Sequence, residues 1–260
     1  MQQQAFDTYA KSYDVHFTNS LIGKAQRDAV YRHLEKVISG KTKQLLEVNC
    51  GTGYDAVWFL KKGIRVLATD ISAGMIEEAR KKEHSGAVEF KQLSSTEIET
   101  LAPQNFDLIF SNFGGLNCLS RTELIKFKTG CGLLQHKNAQ LVFVIMGTNC
   151  WWERFYFSWK KEKAKARRRS DPSGADTVIE NQHFKTYYHS PELLKQLFET
   201  EYDHISTKPI GLFVPPSYLE EYIRNKKIFF GFLKRMDTIF GHMSFLSNYA
   251  DHYLIVFKKK

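Results

Sequence analysis

QLLEVNCGTGYDAVWFLKKGIRVLATD, residues 44–70, holds two short apolar runs, Leu45–Val48 and Val66–Thr69, separated by a small-residue turn and a helix-length amphipathic segment. The pattern predicts strand, turn, helix and strand, with Asp70 at the tip of the second strand. Glycines at 51 and 53 let backbone pass close to a ligand, and the helix beyond them offers unpaired N–H groups. A carboxylate closing the next strand suits a ribose diol, because it accepts from both hydroxyls. The unit therefore points to an adenosine-like ligand.

Two cofactor classes use such a turn. Gly51, Gly53 and Ala56 satisfy the G-x-G-x-x-G/A pattern of dinucleotide sites. The run Glu47-Val48-Asn49-Cys50-Gly51-Thr52-Gly53 also satisfies the acid-x-G-x-G-x-G pattern of S-adenosylmethionine sites, with Asn49 in place of the first glycine. Asparagine tolerates left-handed backbone better than other non-glycine residues. Glu47 separates the two classes. It would repel a pyrophosphate, whereas S-adenosylmethionine carries a sulfonium and an ammonium and no phosphate.

Further stretches extend the comparison: Phe6-Asp7-x-x-Ala10-x-x-Tyr13-Asp14, Thr69-Asp70-Ile71-Ser72-x-x-Met75, Phe106–Ser111, Tyr188–Leu193 and Asp251–Phe257. With the 47–53 loop, their order resembles the class I S-adenosylmethionine-dependent methyltransferases, especially the ubiquinone/menaquinone-type small-molecule subgroup. The resemblance implies an α/β, Rossmann-like, seven-stranded mixed sheet with helices on both faces and the last strand antiparallel. It implies S-adenosyl-L-methionine as cofactor, with Glu47 at the methionine end, Asp70 at the ribose, and Gly51 and Gly53 giving close backbone approach. Tyr13, Arg27, Asn49, Ile71, Met75, Ser111 and Phe113 join this expected cofactor set. So do Leu93, Ser94 and Ser95, where relatives often carry Gly-Asp-Ala; a hydroxyl here replaces the acid expected at the adenine. After the fourth strand, Ser111-Asn112-Phe113-Gly114-Gly115 lacks the Asn/Asp-Pro-Pro-Tyr/Phe of enzymes that methylate planar amines.

The 260 residues, 43% of them hydrophobic, suffice for one elaborated domain. The expected division is a helical cap over the cofactor at 1–40 and substrate-side insertions at 150–188 and 210–248. Cys50, Cys118, Cys131 and Cys150 are scattered, which suggests neither a metal site nor a disulfide framework. With no signal-peptide pattern and no run of transmembrane length, a cytoplasmic protein is expected, either free or peripheral at a membrane.

Residues 151–159 hold six aromatics, and residues 151–169 hold eight Lys/Arg against two Glu, a net +6 of the chain's +9. Three readings stay open: a helix packed over the site with a solvated basic end, an amphipathic element on an anionic membrane, or a dock for an acidic carrier protein. Nucleic acid is the least favoured partner. For a base or polarising group the candidates are His183, His189, Tyr187 and Tyr188, each with a structural role as the plainer alternative. The expected reaction is methyl transfer to a small-molecule or lipid-like acceptor, free or carrier-bound. A dinucleotide-dependent oxidoreductase and a cofactor-binding protein without catalysis remain as rivals.

Overall fold

A computed structural model describes residues 2–83, 85–179 and 182–260, with side chains from Phe6 onward. Helices α1 (Gln2–Tyr13) and α2 (Leu21–Val37) precede strand β1 (Gln44–Val48). Helix α3 (Tyr54–Lys61), β2 (Arg65–Asp70), α4 (Ala73–Arg80), β3 (Val88–Gln92) and β4 (Phe106–Ser111) follow, then α5 (Arg121–Leu133) and β5 (Gln135–Met146). Helices α6 (Trp151–Trp159) and α7 (Lys163–Arg167) lead to a hairpin of β6 (Ala175–Ile179) and β7 (Gln182–Thr186). Helix α8 (Pro191–Phe198), strand β8 (Tyr202–Ile210), helices α9 (Glu220–Ile223) and α10 (Lys227–Phe240), and strand β9 (His252–Lys259) come last.

Seven strands form one sheet in the order β3-β2-β1-β4-β5-β9-β8. Neighbours among β1 to β5 are parallel, and β9 runs antiparallel between β5 and β8. The expected seven-stranded mixed sheet is present. Parallel neighbours need crossovers, and the helices supply them on both faces. Alternation along β1 shows the two-sided burial: Leu45 joins a core with Val30, Phe59 and Ile76, while Leu46 joins one with Phe127, Leu194 and Phe198.

Helix starts follow their capping residues. The Ser72 and Ser190 hydroxyls accept from the N–H groups of Met75 and Leu193, at 3.1 and 3.2 Å, and Pro191 takes the first helical position. Ser120 and Glu123 form a reciprocal capping box.

Strands β6 and β7 pair antiparallel as a separate two-stranded sheet, with Glu180 and Asn181 outside the described residues. The helical segment between β8 and β9 is divided in two. The break falls at 224–226, and α10 continues through Gly231 because Phe230, Leu233 and Asp237 bury one continuous face. A lone glycine costs a helix only about 1 kcal/mol, less than that burial returns.

Helix α1 lies on α4 and the hairpin. The Asp7 carboxylate accepts from the Ser72 hydroxyl at 2.6 Å and the Gly74 N–H at 2.9 Å. A Cβ on Gly74 would stand 2.9 Å from the Asp7 carbonyl oxygen, so the close approach requires glycine. Phe6 packs against Phe184 of β7, ring centres 5.4 Å apart. Replacing Asp7 with Ala should weaken this docking by about 1.5 kcal/mol. Faster amide exchange and proteolysis confined to residues 2–13, with unchanged far-ultraviolet dichroism, would show it; unchanged exchange would refute it.

Candidate active site

The C-terminal ends of β1, β2 and β4 meet under α1, and their loops enclose a cleft of about 90 Å³. The turn after β1 depends on left-handed backbone, with φ of +56° at Asn49, +53° at Gly51 and +73° at Gly53. A Cβ on Gly51 would meet nothing within 4 Å, so that residue faces open space at the cleft. One on Gly53 would strike Ala79 and Phe90 at 2.8 and 2.9 Å. Gly53 thus serves the packing of α3 against α4 and β3, on the side away from the cleft.

Asp70 joins two loops. Its carboxylate accepts from the N–H groups of Gly51 and Ser72, both at 2.9 Å, and two bonds leave further lone pairs free. Burial raises its pKa to about 6, outweighing the opposing pull of the Ser72 and Gly51 N–H groups. Ile71 and Met75 continue the wall on this side, and Phe6 and Tyr13 of α1 close the top. Burial also raises the Tyr13 phenol.

Beneath the loop lies a polar network. Arg27 pairs with Asp55 at 2.7 Å, and Asp55 also accepts from Tyr31 at 2.6 Å and Asn112 at 2.9 Å. The Arg27 guanidinium stacks over Tyr54 and Phe113, 4.7 and 5.1 Å from the ring centres. Two atoms here are buried without a hydrogen-bond partner: Oε2 of Glu47, an acceptor, and Nε of Arg27, a donor. Burial, then the nearby Asp55, raises the Glu47 pKa well above the usual carboxylate range. An orphaned acid beside an orphaned base suits a zwitterionic amino-acid head, whose ammonium and carboxylate would satisfy one each.

Other expected residues lie elsewhere. Ser111 is buried, its hydroxyl donating to Asn49 Oδ1 at 3.5 Å. The N–H of Leu93 donates to the Asp70 carbonyl, Ser94 caps the short turn Ser95–Leu101, and Ser95 is buried; none of the three lines the cleft. The Ser94 hydroxyl is engaged by Thr96, at 3.2 Å from its N–H and 2.9 Å from its hydroxyl.

The base candidates are not at the cleft either. His183 is exposed on β7, and Tyr187 donates its backbone N–H to Asn117 O. Tyr188 lies under the Arg169 guanidinium at 5.2 Å. His189 is buried with Nε2 3.0 Å from the Leu119 carbonyl, and burial pushes its pKa down. These four are spent on the hairpin and its connection to the sheet.

A second cleft, about 420 Å³, adjoins the first and shares Tyr13 and Phe113 with it. Tyr9, Phe17, Met146 and Tyr218 contribute to its walls, with Arg168, Arg169, Asp251 and His252 at its polar side. Phe113, at φ +44°, packs edge-on against both Phe17 and His252. Nδ1 of His252 stands 3.3 Å from Asp251 Oδ2, within ion-pair range but poorly aligned for a hydrogen bond. Against the burial that raises it, His252 and then Arg169 hold the Asp251 carboxyl well below its usual range.

The basic run ends inside the protein. Arg168 and Arg169 both bond Glu153, and Arg169 also reaches Asp251 Oδ1 and its carbonyl oxygen, each at 2.7 Å. Lys160, Lys161, Lys163, Lys165 and Arg167 are exposed, as a solvated basic end requires, while Arg168 and Arg169 turn inward. Glu153 and Asp251 neutralise these last two arginines because burial otherwise leaves them unpaired. Asn112, Asp55 and His252 were not singled out from sequence. Only the pairing of His252 with Met146 and Ile210 brings it to this edge.

A family profile described as a methyltransferase domain matches residues 45–131. A malonyl-[acyl-carrier protein] O-methyltransferase of Hamiltonella defensa is 32% identical over 108 residues, which is 42% of this chain and 38% of that protein. The chain thus spans about two fifths of the length of the curated relatives it matches. A Listeria monocytogenes protein assigned as an S-adenosylmethionine dependent methyltransferase superposes with a TM-score of 0.62 at 15% identity, over 91% of this chain and 98% of that one. DhpI in complex with SAH gives 0.60 at 16% identity, over 99% and 95%. The chain has the fold that these proteins share.

The raised Asp70 pKa has a consequence for stability. Between about pH 4 and pH 6 the native protein keeps a proton that the unfolded chain has lost, so this group's stabilising contribution is full below pH 4 and is lost as pH rises through 6. Urea unfolding of the wild type and of Asp70→Asn across this window should differ in slope, the variant gaining up to about 2–3 kcal/mol relative to wild type between pH 4 and 7. Parallel curves would place the Asp70 pKa at its ordinary value.

Proposed function

We propose that this chain, which has the class I S-adenosylmethionine-dependent methyltransferase fold, binds S-adenosylmethionine in the first cleft and transfers its methyl group to an acceptor in the second. The observation that carries this reading is the donor set: the unpaired Glu47 acid and Arg27 Nε below the loop, with Asp70 across the cleft. When bound, the cofactor supplies a methyl group on an electrophilic sulfonium. Glu47 would take the ammonium, Arg27 the carboxylate, and Asp70 the ribose hydroxyls. Phe6 and Tyr13 of α1 exclude water, and the Asn49–Gly53 turn holds the backbone open at Gly51.

The second cleft is the place for the acceptor, because Tyr13 and Phe113 are walls of both cavities. Aromatic walls suit a flat or lipid-like acceptor. His252 is the group placed to take its proton, since it lines the second cleft with the Asp251 carboxylate beside its Nδ1. An acceptor with a phenolic or enolic hydroxyl needs that base. A carboxylate acceptor does not, and this second reading is supported by the curated relatives that are named for malonyl-[acyl-carrier protein]. The matched segment 45–131 contains the cofactor loop but none of the second cleft's residues from Met146 onward, so the relatives speak more to the donor than to the acceptor.

Calorimetric titration with S-adenosylhomocysteine should show binding, NADH should show none, and Asp70→Ala should weaken the former by about tenfold or more. Binding of NADH alone would overturn the reading in favour of a dinucleotide enzyme. In a screen of phenols, quinols and carrier-bound acids, His252→Ala should lower kcat about 100-fold or more for a hydroxyl acceptor, with homocysteine-product affinity unchanged. An unaltered kcat would remove His252 as the base and favour the carboxylate acceptor.

A further inference from the structure

We propose that the outward faces of α6 and α10 together form a docking surface for an anionic lipid bilayer. The inference stands apart from the reaction, since it rests on neither cleft. On α6, Trp151, Phe155 and Trp159 recur every fourth residue and so share one stripe, with Phe155 and Trp159 73% and 74% exposed. On α10, Ile228 is 93% exposed, and Phe229 and Phe232 are exposed beside it. The two helices border one apolar groove of about 300 Å³, lined by Trp151, Trp152, Phe155, Phe213 and Leu233. The α6 stripe thus opens onto this groove through Trp151 and Phe155, and α10 reaches the groove through Leu233. The Trp151 and Trp152 indole N–H groups donate inward to the Leu212 and Phe213 carbonyls, at 2.6 and 3.1 Å, which fixes the rings at this surface.

Charge identifies the occupant. Arg154, Lys160, Lys161 and Lys163 flank the stripe of α6, and Lys226 and Lys227 begin α10; all six are exposed. No carboxylate lies within 4.0 Å of their cationic nitrogens among the described residues. A bilayer meets both demands at once, taking aliphatic and aromatic groups into its interface while its phosphates attract the lysines. An acidic protein would answer the charges but would need a shaped socket for each projecting side chain, whereas lipid conforms to them. No helix among the described residues is long and apolar enough to cross a membrane, so the contact is one of surface docking. Tyr218 of the second cleft packs on Tyr156 and Phe157 of α6, so the docking face borders that cleft.

The test is co-sedimentation of the full chain with phosphatidylcholine vesicles and with vesicles containing phosphatidylglycerol, followed also by tryptophan fluorescence. Binding is expected to the anionic vesicles, with a blue shift, and to weaken with added salt. Trp159→Ser combined with Ile228→Ser, and separately Lys163→Glu combined with Lys227→Glu, should each lower the affinity about tenfold or more. All four positions are exposed, and unchanged dichroism would show that the variants fold. Failure to bind anionic vesicles at low ionic strength would overturn the proposal. So would binding that survives the apolar pair and falls only with charge reversal, since that is adsorption of a basic protein without insertion. Binding of an acidic carrier protein in place of vesicles would overturn it equally.

Discussion

Gly51 and Ser72 give their backbone N–H groups to the two oxygens of Asp70, and that bridge ties the loop after β1 to the loop after β2. The bridge requires the left-handed turn at Asn49 and Gly51, because only that path aims the Gly51 N–H across the gap. It also keeps a carboxylate buried where water would otherwise solvate it, at an energetic cost that the surrounding sheet absorbs. Through Ser72 the same arrangement reaches α1, since the Ser72 hydroxyl donates to Asp7 while capping α4. One acid thus sets the distance between two loops and, indirectly, the height of the helix above them.

The two clefts are separate cavities with common walls. Phe113 stands between Phe17 and His252, and its strained backbone at φ +44° fixes where the ring points. Beneath it, the Arg27–Asp55–Asn112 network supports the ring from the side of the first cleft, and the Arg169–Asp251 pair stands beside His252 on the other. Polar groups buried on both sides of one aromatic ring leave it little freedom to move. A ligand in either cleft therefore meets a shared wall that is already set.

Much of the sheet was legible from sequence because buried parallel strands are short, apolar and bounded by turn residues. Leu45–Val48 and Val66–Thr69 carry that signal directly. Asn49 was legible in its backbone tolerance, and Asp70 in its position at a strand tip. His252 was not, since a residue just before an apolar strand has no periodic mark, and only the antiparallel insertion of β9 delivers it to the cleft. The inward turn of Arg168 and Arg169 was hidden for a similar reason: their partners, Glu153 and Asp251, lie 15 and 82 residues away. Local composition reads such a run as solvated; tertiary pairing decides otherwise. For the histidines and tyrosines at 183–189, residue type suggested chemistry, while the hairpin's place beside α1 directed them to packing.

The position of β9 links the far edge of the sheet to the second cleft. β8 has no neighbour in the sheet except β9, and β9 reaches the sheet only by pairing with β5. β1 to β5 pair through nearer connections, whereas β8 joins the sheet through β9. His252 and Asp251, on the polar side of the second cleft, come with that same strand and the residue before it. The loops around Asp70 belong to the parallel half of the sheet, while the second cleft draws on both halves. One strand thus completes the sheet and a wall of the second cleft together.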